Sequence, residues 1–393
     1  MGISIPANNL ISNFIKAMKF NSIYTETIIK HITAILTAMA LKGFTAKMTD
    51  IEEVSEYHRT SISRFLSDKR WNPEPIRSTI KQRSFDHIQR LSKETGAPMF
   101  VIMDDTVNVK TKPSSQAERP IEMAGFHHSH LLGKQVWGHQ VMATMVSCGG
   151  TTLNYDIHRY DKTEQTKMDY AKELISELPI PETAAYFMTD SWYTNGKIID
   201  ACATRGYHFI GAMKTNRIMY PQGIHISIAE FAARYIEKND VDLVTVNGNK
   251  YYVYRFEGKL NGIDNAVILI SWPESAFKNP KALKAFVCTD TSLETATILE
   301  YYAQRWGIET FFGQSKDSLG FGKYQIRSIE GIDRLWTIMS LFHLMCTTGL
   351  GCNMAFGDGL LYLRKAVLKE RITFIYQCAQ KKVPIEDIYA LCA

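Results

Sequence analysis

Apolar residues recur at helical spacing through the first 95 positions, with almost no Gly or Pro to interrupt them, which predicts a helical region. Thr49-x-x-Glu52 reads as a capping box that opens a short helix through Tyr57. His58-Arg59 is a tight break, and Thr60-Ser61 caps a second helix, Ile62 to Arg70, stopped near Asn72-Pro73. Short helix, turn, short helix is the outline of a helix-turn-helix, with Arg64, Lys69 and Arg70 exposed; an ordinary helical hairpin shares that outline. The helix before it, about Tyr24 to Leu41, is apolar enough for packing or an oligomer contact.

From residue 98 the period changes. Pro98 to Met103 is an unbroken apolar strand ending in Asp104-Asp105-Thr106, and Ala184 to Thr189 is a second one ending in Asp190. Delivering a carboxylate at the C-terminal end of a buried strand is how α/β sheets place reactive acids. Between the two lie strands Val136 to Ser147 and Thr152 to His158 and a helix Thr163 to Leu178. A helix from about Asn195 to Arg205 and a strand His208 to Met213 follow. Residues 215–297 are strand-like, at Leu243 to Val246, Tyr251 to Phe256, Ala266 to Ile270 and Ala285 to Cys288, with hairpin signals at Asn247-Gly248 and Asn261-Gly262. Leu335 to Leu350 is a strongly apolar helix, and the last forty residues are helical, with Arg364, Lys365, Lys369, Glu370 and Arg371 forming a basic patch.

The 393 residues are 45% hydrophobic, enough for a sizeable core in two or three units. No apolar run is long enough to cross a bilayer, and no signal peptide is evident. Seven scattered cysteines without a Cys-x2-Cys pair point to a reduced, cytosolic setting without a disulfide framework or structural zinc. Net charge is only +5, but residues 59–93 hold nine Lys/Arg against three acids, a local excess that favours a polyanionic partner. A phosphate-binding NTPase is disfavoured by the absence of Gly-x4-Gly-Lys-Ser/Thr.

The densest chemistry lies in Tyr301 to Lys316. Read as one helix, Tyr302, Arg305, Glu309 and Lys316 fall within an arc of about 60°, while Ile308 and Phe311 point toward a core. A solvated ladder of ion pairs would account for Arg305, Glu309 and Lys316, though not for Tyr302 and the bordering Trp306 and Phe312. Tyr-x2-Arg-x3-Glu-x6-Lys resembles the signature of the cut-and-paste insertion-sequence transposases, DDE enzymes with a ribonuclease H-like core. That resemblance covers roughly residues 98–345. It implies that Glu309 is the third catalytic carboxylate and metal ligand, and that Tyr302, Arg305 and Lys316 contact phosphates of the element's end, beside Trp306. It requires two upstream Asp residues, and the pattern of Asp followed by Thr or Ser selects Asp105 and Asp190. Side chains alternate along a strand, so only one of Asp104 and Asp105 enters the site, leaving Asp104 as a supporting or structural acid.

The implied fold is α/β, a ribonuclease H-like mixed sheet flanked by helices, with a β-rich insertion and an N-terminal helical DNA-binding domain. The expected units are residues 1–95 (helix-turn-helix-like), 96–214 and 298–350 (the two parts of the core), 215–297 (the insertion) and 351–393 (a C-terminal helical region). Two Mg²⁺ ions, replaceable by Mn²⁺, are the implied cofactors, with Asp105 bridging both and Asp190 and Glu309 each completing one. The implied partners are DNA, both terminal inverted repeats and target, and a second copy in a synaptic complex. A hairpin step with a flipped base would use Trp192, Trp306 or Tyr302. Competing readings are a metal-dependent nuclease without strand transfer and a non-catalytic helix-turn-helix regulator. His127, His128, His130 and His139 are residue types that bind zinc but lack a recognisable ligand spacing; the other reading is a loop near DNA or the site, with Lys110, Lys112 and Lys134 available to phosphates. Asp290 also follows an apolar strand, but Thr291-x-x-Glu294 behind it favours a structural role.

Overall fold

The computed structural model describes residues 8–41, 43–68, 70–129 and 132–392. Its centre is β1 (Met99–Val109), whose apolar first half is buried and pairs in parallel with β5 (Ala185–Thr189). The sequence between them forms β2 (Gly125–Ser129), β3 (Lys134–Cys148) and β4 (Thr151–Tyr160). The long β3 runs antiparallel to β1, and its other edge is shared by β2 and β4. β6 (His208–Met213) adds in parallel beyond β5. The spatial order β4-β3-β1-β5-β6, antiparallel then parallel, is the mixed sheet expected of a ribonuclease H-like core.

The insertion continues this ladder. After the short strands β7 (Ile218–Met219) and β8 (Ile226–Ser227) come β9 (Asp242–Val246), β10 (Asn249–Leu260), β11 (Ile263–Pro273) and β12 (Lys284–Cys288). β12 pairs antiparallel with β6, and β11, β10 and β9 follow as a meander, giving a single twelve-stranded sheet. Asn247 and Gly248, at φ 48° and 78°, make the tight β9–β10 turn that their sequence predicts.

Helices α1 (Asn9–Ala17), α2 (Glu26–Ala40), α3 (Met48–Glu52), α4 (Arg59–Ser67) and α5 (Glu74–Thr95) precede the sheet. The helix expected through Tyr57 ends at Glu52, and Tyr57 turns back to stack on His31, ring centroids 4.1 Å apart. α4 starts at Arg59, three residues earlier than expected, because His58 is its cap, accepting from the Thr60 amide at 3.3 Å. It stops at Ser67, where Asp68 adopts extended backbone; Arg70 lies past its end, and Lys69 lies outside the described residues.

α6 (Lys167–Glu177) and α7 (Gly196–Thr204) flank β5, and α8 (Ile228–Arg234) lies in the insertion. α9 (Thr295–Ala303), α10 (Trp306–Ser318), α11 (Ile329–Thr348), α12 (Phe356–Gln380) and α13 (Ile385–Cys392) close the chain. α11 is buried almost throughout, against α5 and β4 on one side and α2, α4 and α12 on the others, so the N-terminal helices share one core with the C-terminal ones. Arg334, in α11 and 5% exposed, donates to the carbonyls of Leu66 (2.7 Å) and Trp71 (3.1 Å) and fastens the end of α4. No helix among the described residues is long and apolar enough to cross a membrane.

Candidate active site

Two neighbouring parallel strands set the site. The β1–β5 register runs from Met99 opposite Ala185 to Ile102 opposite Met188. Asp104 lies two residues past Ile102 and Asp190 two past Met188, so the two acids stand at the ends of neighbouring strands, close enough for the Asp190 charge to act on Asp104. Beyond Thr189 the chain turns, with Asp190 Oδ1 accepting from the Trp192 amide at 2.9 Å. Asp104 is four-fifths buried, and burial together with the Asp190 carboxylate pushes its carboxyl up to about 7, against the opposing pull of Arg305.

The signature helix is broken where one continuous helix is predicted. α9 ends at Ala303 and α10 begins at Trp306. Around the junction the backbone tightens to i→i+3 bonds, from the amides of Gln304, Arg305, Gly307 and Ile308 to the carbonyls of Tyr301, Tyr302, Gln304 and Arg305. Ile308, Phe311, Phe312 and Ser315 are buried, as the helical period predicts for the first two. The tightened junction directs Arg305 at the strand ends. Its guanidinium donates to Asp104 Oδ2 at 2.7 Å and, from its other arm, to Glu309 Oε1. One turn after Phe312, Lys316 donates to Thr106 Oγ1 at 2.7 Å, and burial lowers its pKa.

Asp104 and Thr106 therefore face α10, and Asp105 faces the other way. Its carboxylate accepts from Lys167 of α6 at 2.9 and 3.0 Å, from the Tyr193 hydroxyl at 2.6 Å, and from Gln140. Burial, and then the Asp105 charge, raise Tyr193 far above a free phenol, so it stays a donor. The Asp-Thr adjacency selects Asp105 in the sequence; in the fold it is Asp104 that feels the Asp190 charge and is joined to Glu309 through Arg305. The signal for this was the polar alternation 104, 106, 108, since Asn108 also points that way and donates to the Phe321 carbonyl at 2.9 Å. Lys167, Tyr193 and Gln140 had no such signal, because they meet only through the fold.

The remaining expected contacts separate. Trp306, next to Arg305 in the chain, is 67% exposed, and Trp192 is 48% exposed with Lys167 and Lys214 at 5.6 and 5.1 Å from its ring. Tyr302 packs on Phe286, centroids 4.9 Å apart, and burial pushes its phenol up to about 12. Arg64 and Arg70 are exposed on the surface of the helical region, and Arg70 pairs with Asp68. Lys110 is not available to phosphate: it donates to the Gly322 and Tyr324 carbonyls at 2.8 and 2.7 Å, and burial lowers it to about 8. His139 is locked between Tyr324 and the Glu122 carbonyl, each at 2.7 Å, and His130 lies outside the described residues. Asp290 anchors a turn, accepting from Ser292 and, at 2.8 Å, from Tyr186.

Among the described residues no three His, Cys, Asp or Glu side chains gather around one point, because Arg305 stands between Asp104 and Glu309. The donor chemistry nevertheless fits a hard divalent cation. All three groups are carboxylates, and Asp104, held up to about 7 by burial and then by the Asp190 charge, keeps a proton near neutrality that a cation would displace.

A family model described as "Transposase DDE domain" matches residues 95–345, which is well over half of the chain and spans all of these acids. No curated protein matches. Among solved structures, the cryo-EM structure of the piggyBac transposase synaptic complex with hairpin DNA is similar at 12% identity. That match covers 93% of this chain and 83% of that one, with a TM-score of 0.42.

Proposed function

Because the chain belongs to the transposase DDE-domain family, we propose that it is the cut-and-paste enzyme of an insertion sequence, acting in the reducing cytoplasm on the element's inverted-repeat ends and on target DNA. The observation that supports this reading is that Asp104 and Asp190 follow neighbouring parallel strands, with Glu309 tied to Asp104 through Arg305.

In this reading Asp104, Asp190 and Glu309 would hold two Mg²⁺ ions, with Mn²⁺ able to replace them, and Asp104 would take the role expected of Asp105. Bound there, the ions supply activation of the attacking oxygen and stabilisation of the leaving one. The chain's own groups position the DNA. Lys316 and Arg305 lie where phosphates flanking the scissile bond would pass, and Arg305 exchanges its carboxylate partners for a phosphate oxygen. Tyr302 backs Arg305, its ring 5.9 Å from the guanidinium carbon. Trp306 offers an open face on which an unpaired base can stack. Arg64 and Arg70 of the helical region contact more distant duplex. Hydrolysis at the element's end frees a 3′-OH, which then attacks a target phosphodiester and expels the target's own 3′ oxygen. Two copies of the chain hold the two ends.

The test is divalent-metal-dependent cleavage and joining of cognate element ends. Asp104→Asn, Asp190→Asn and Glu309→Gln should each lower cleavage by at least about 100-fold. Cleavage without joining would instead assign a nuclease, and unchanged cleavage in all three variants would remove the active site from these acids.

A further inference from the structure

α12 has two apolar faces, and the core needs only one. Phe356, Leu360, Leu363 and Val367 are buried. Gly359 lets the α11 and α12 backbones close together, since a Cβ there would meet the Cys346 carbonyl oxygen at 1.8 Å. On the outer face Leu361, Leu368, Ile372 and Ile375 are 47%, 46%, 67% and 37% exposed. With Lys365 and Ala379 they alternate four and three residues apart from 361 to 379, the repeat of a helix–helix seam. Tyr362 and Tyr376, 48% and 62% exposed, border the seam along one edge.

A helix needs one such stripe to fold and two only to join something else. These side chains line about 22 Å of helix and present several hundred Å² of contiguous apolar surface. That is the scale each partner brings to a standard interface of about 800 Å² a side. A nucleic-acid partner calls for the opposite composition. The arginines that make the sequence here look basic are turned inward: Arg364 donates to the Ala40 carbonyl at 3.1 Å and Arg371 to that of Val54 at 2.9 Å.

We infer that this seam joins two copies of the chain, α12 against α12, antiparallel about a two-fold axis near position 370. A two-fold contact uses one patch on both partners and so requires a self-complementary surface. Antiparallel pairing supplies it, setting Leu368 opposite Ile372 and Leu361 opposite Ala379. A parallel pair would bring two Lys365 ammoniums together at one core position. In the antiparallel pair Lys365 lies opposite Ile375, where its stem packs and its amine reaches water, and a lone lysine in such a seam fixes the register.

The test uses the full chain without DNA or metal, so its failure leaves the cleavage reading standing. Sedimentation equilibrium should show a dimer, and Leu368→Glu with Ile372→Glu should raise its dissociation constant by at least about 100-fold with circular dichroism unchanged. If that variant misfolds, Leu368→Ser with Ile372→Ser carries the same comparison. In a Cys352→Ser background, mixing Leu368→Cys chains with Ile372→Cys chains should give an oxidised heterodimer. A monomeric wild type, a variant that stays dimeric, or cross-linking confined to Leu368→Cys with itself would overturn the proposal.

Discussion

Arg305 and Asp104 meet at 2.7 Å across two elements about 200 residues apart in sequence, and the same guanidinium also holds Glu309. A single organic cation thus neutralises acids that would otherwise repel one another. Arg305→Gln should destabilise the metal-free protein by about 1–3 kcal/mol, less than for a fully buried pair because Glu309 is partly open. It should also increase the stabilisation gained from Mn²⁺ relative to wild type. Melting curves with and without Mn²⁺ read both effects. An equal Mn²⁺ response in the two proteins would rule out competition between guanidinium and metal.

Asp104 makes stability pH-dependent in a recognisable direction. Its folded pKa of about 7 lies above the ordinary carboxyl value of 3.8. The folded state therefore binds its proton more tightly, and the stability this brings is present below pH 3.8 and lost as pH rises through about 7. The difference in stability between Asp104→Asn and wild type should grow in favour of the variant from pH 5 to pH 8, by up to about 3 kcal/mol. The difference is the quantity to measure, because His139 and His343, lowered by burial to about 4 and about 3, tilt both proteins the other way. A flat difference across that range in urea titrations would show that Asp104 ionises normally.

Asp105 and Lys167 form a pair whose members depend on each other. Lys167→Met should cost about 3 kcal/mol by leaving a carboxylate without its cation, and adding Asp105→Asn should return most of that. Urea denaturation of the single and double variants measures the coupling. Asp105→Asn alone should retain cleavage within about tenfold, unlike Asp104→Asn. Loss of cleavage equal to that of Asp104→Asn would return Asp105 to the reacting centre.

Trp306 is exposed and packs little, so Trp306→Ala should change folding stability by less than about 0.5 kcal/mol. A base stacked on it would contribute about 1–3 kcal/mol. Affinity for element ends carrying an unpaired terminal base should then fall by about tenfold or more, with affinity for plain duplex nearly unchanged. Equal losses for both substrates would assign Trp306 to the duplex instead.

Strand-borne chemistry was legible in the sequence because buried parallel strands are unbroken apolar runs, and Met99 to Met103 and Ala185 to Met188 are both such runs. The insertion strands announced themselves through alternation and Asn-Gly turns. Which of Asp104 and Asp105 would meet Arg305 was not legible for a physical reason. Adjacent residues point to opposite faces, and nothing local says which face α10 will cover. The break at residues 304–305 was equally hidden, since both residues keep helical backbone angles and only the hydrogen bonds tighten. Lys110 and Arg364 read as solvent charges because their carbonyl partners lie more than 200 residues away in sequence.

The shared ladder from β6 into β12 constrains how such a protein could be shortened. Excising residues 215–297 would strip β6 of its neighbour and leave a raw row of amides and carbonyls along buried, hydrophobic Phe209 to Ile210. Such an edge recruits strands from other molecules. The insertion thus serves as a permanent bandage for the sheet, and a trimmed relative would have to supply a charged or covered margin in its place.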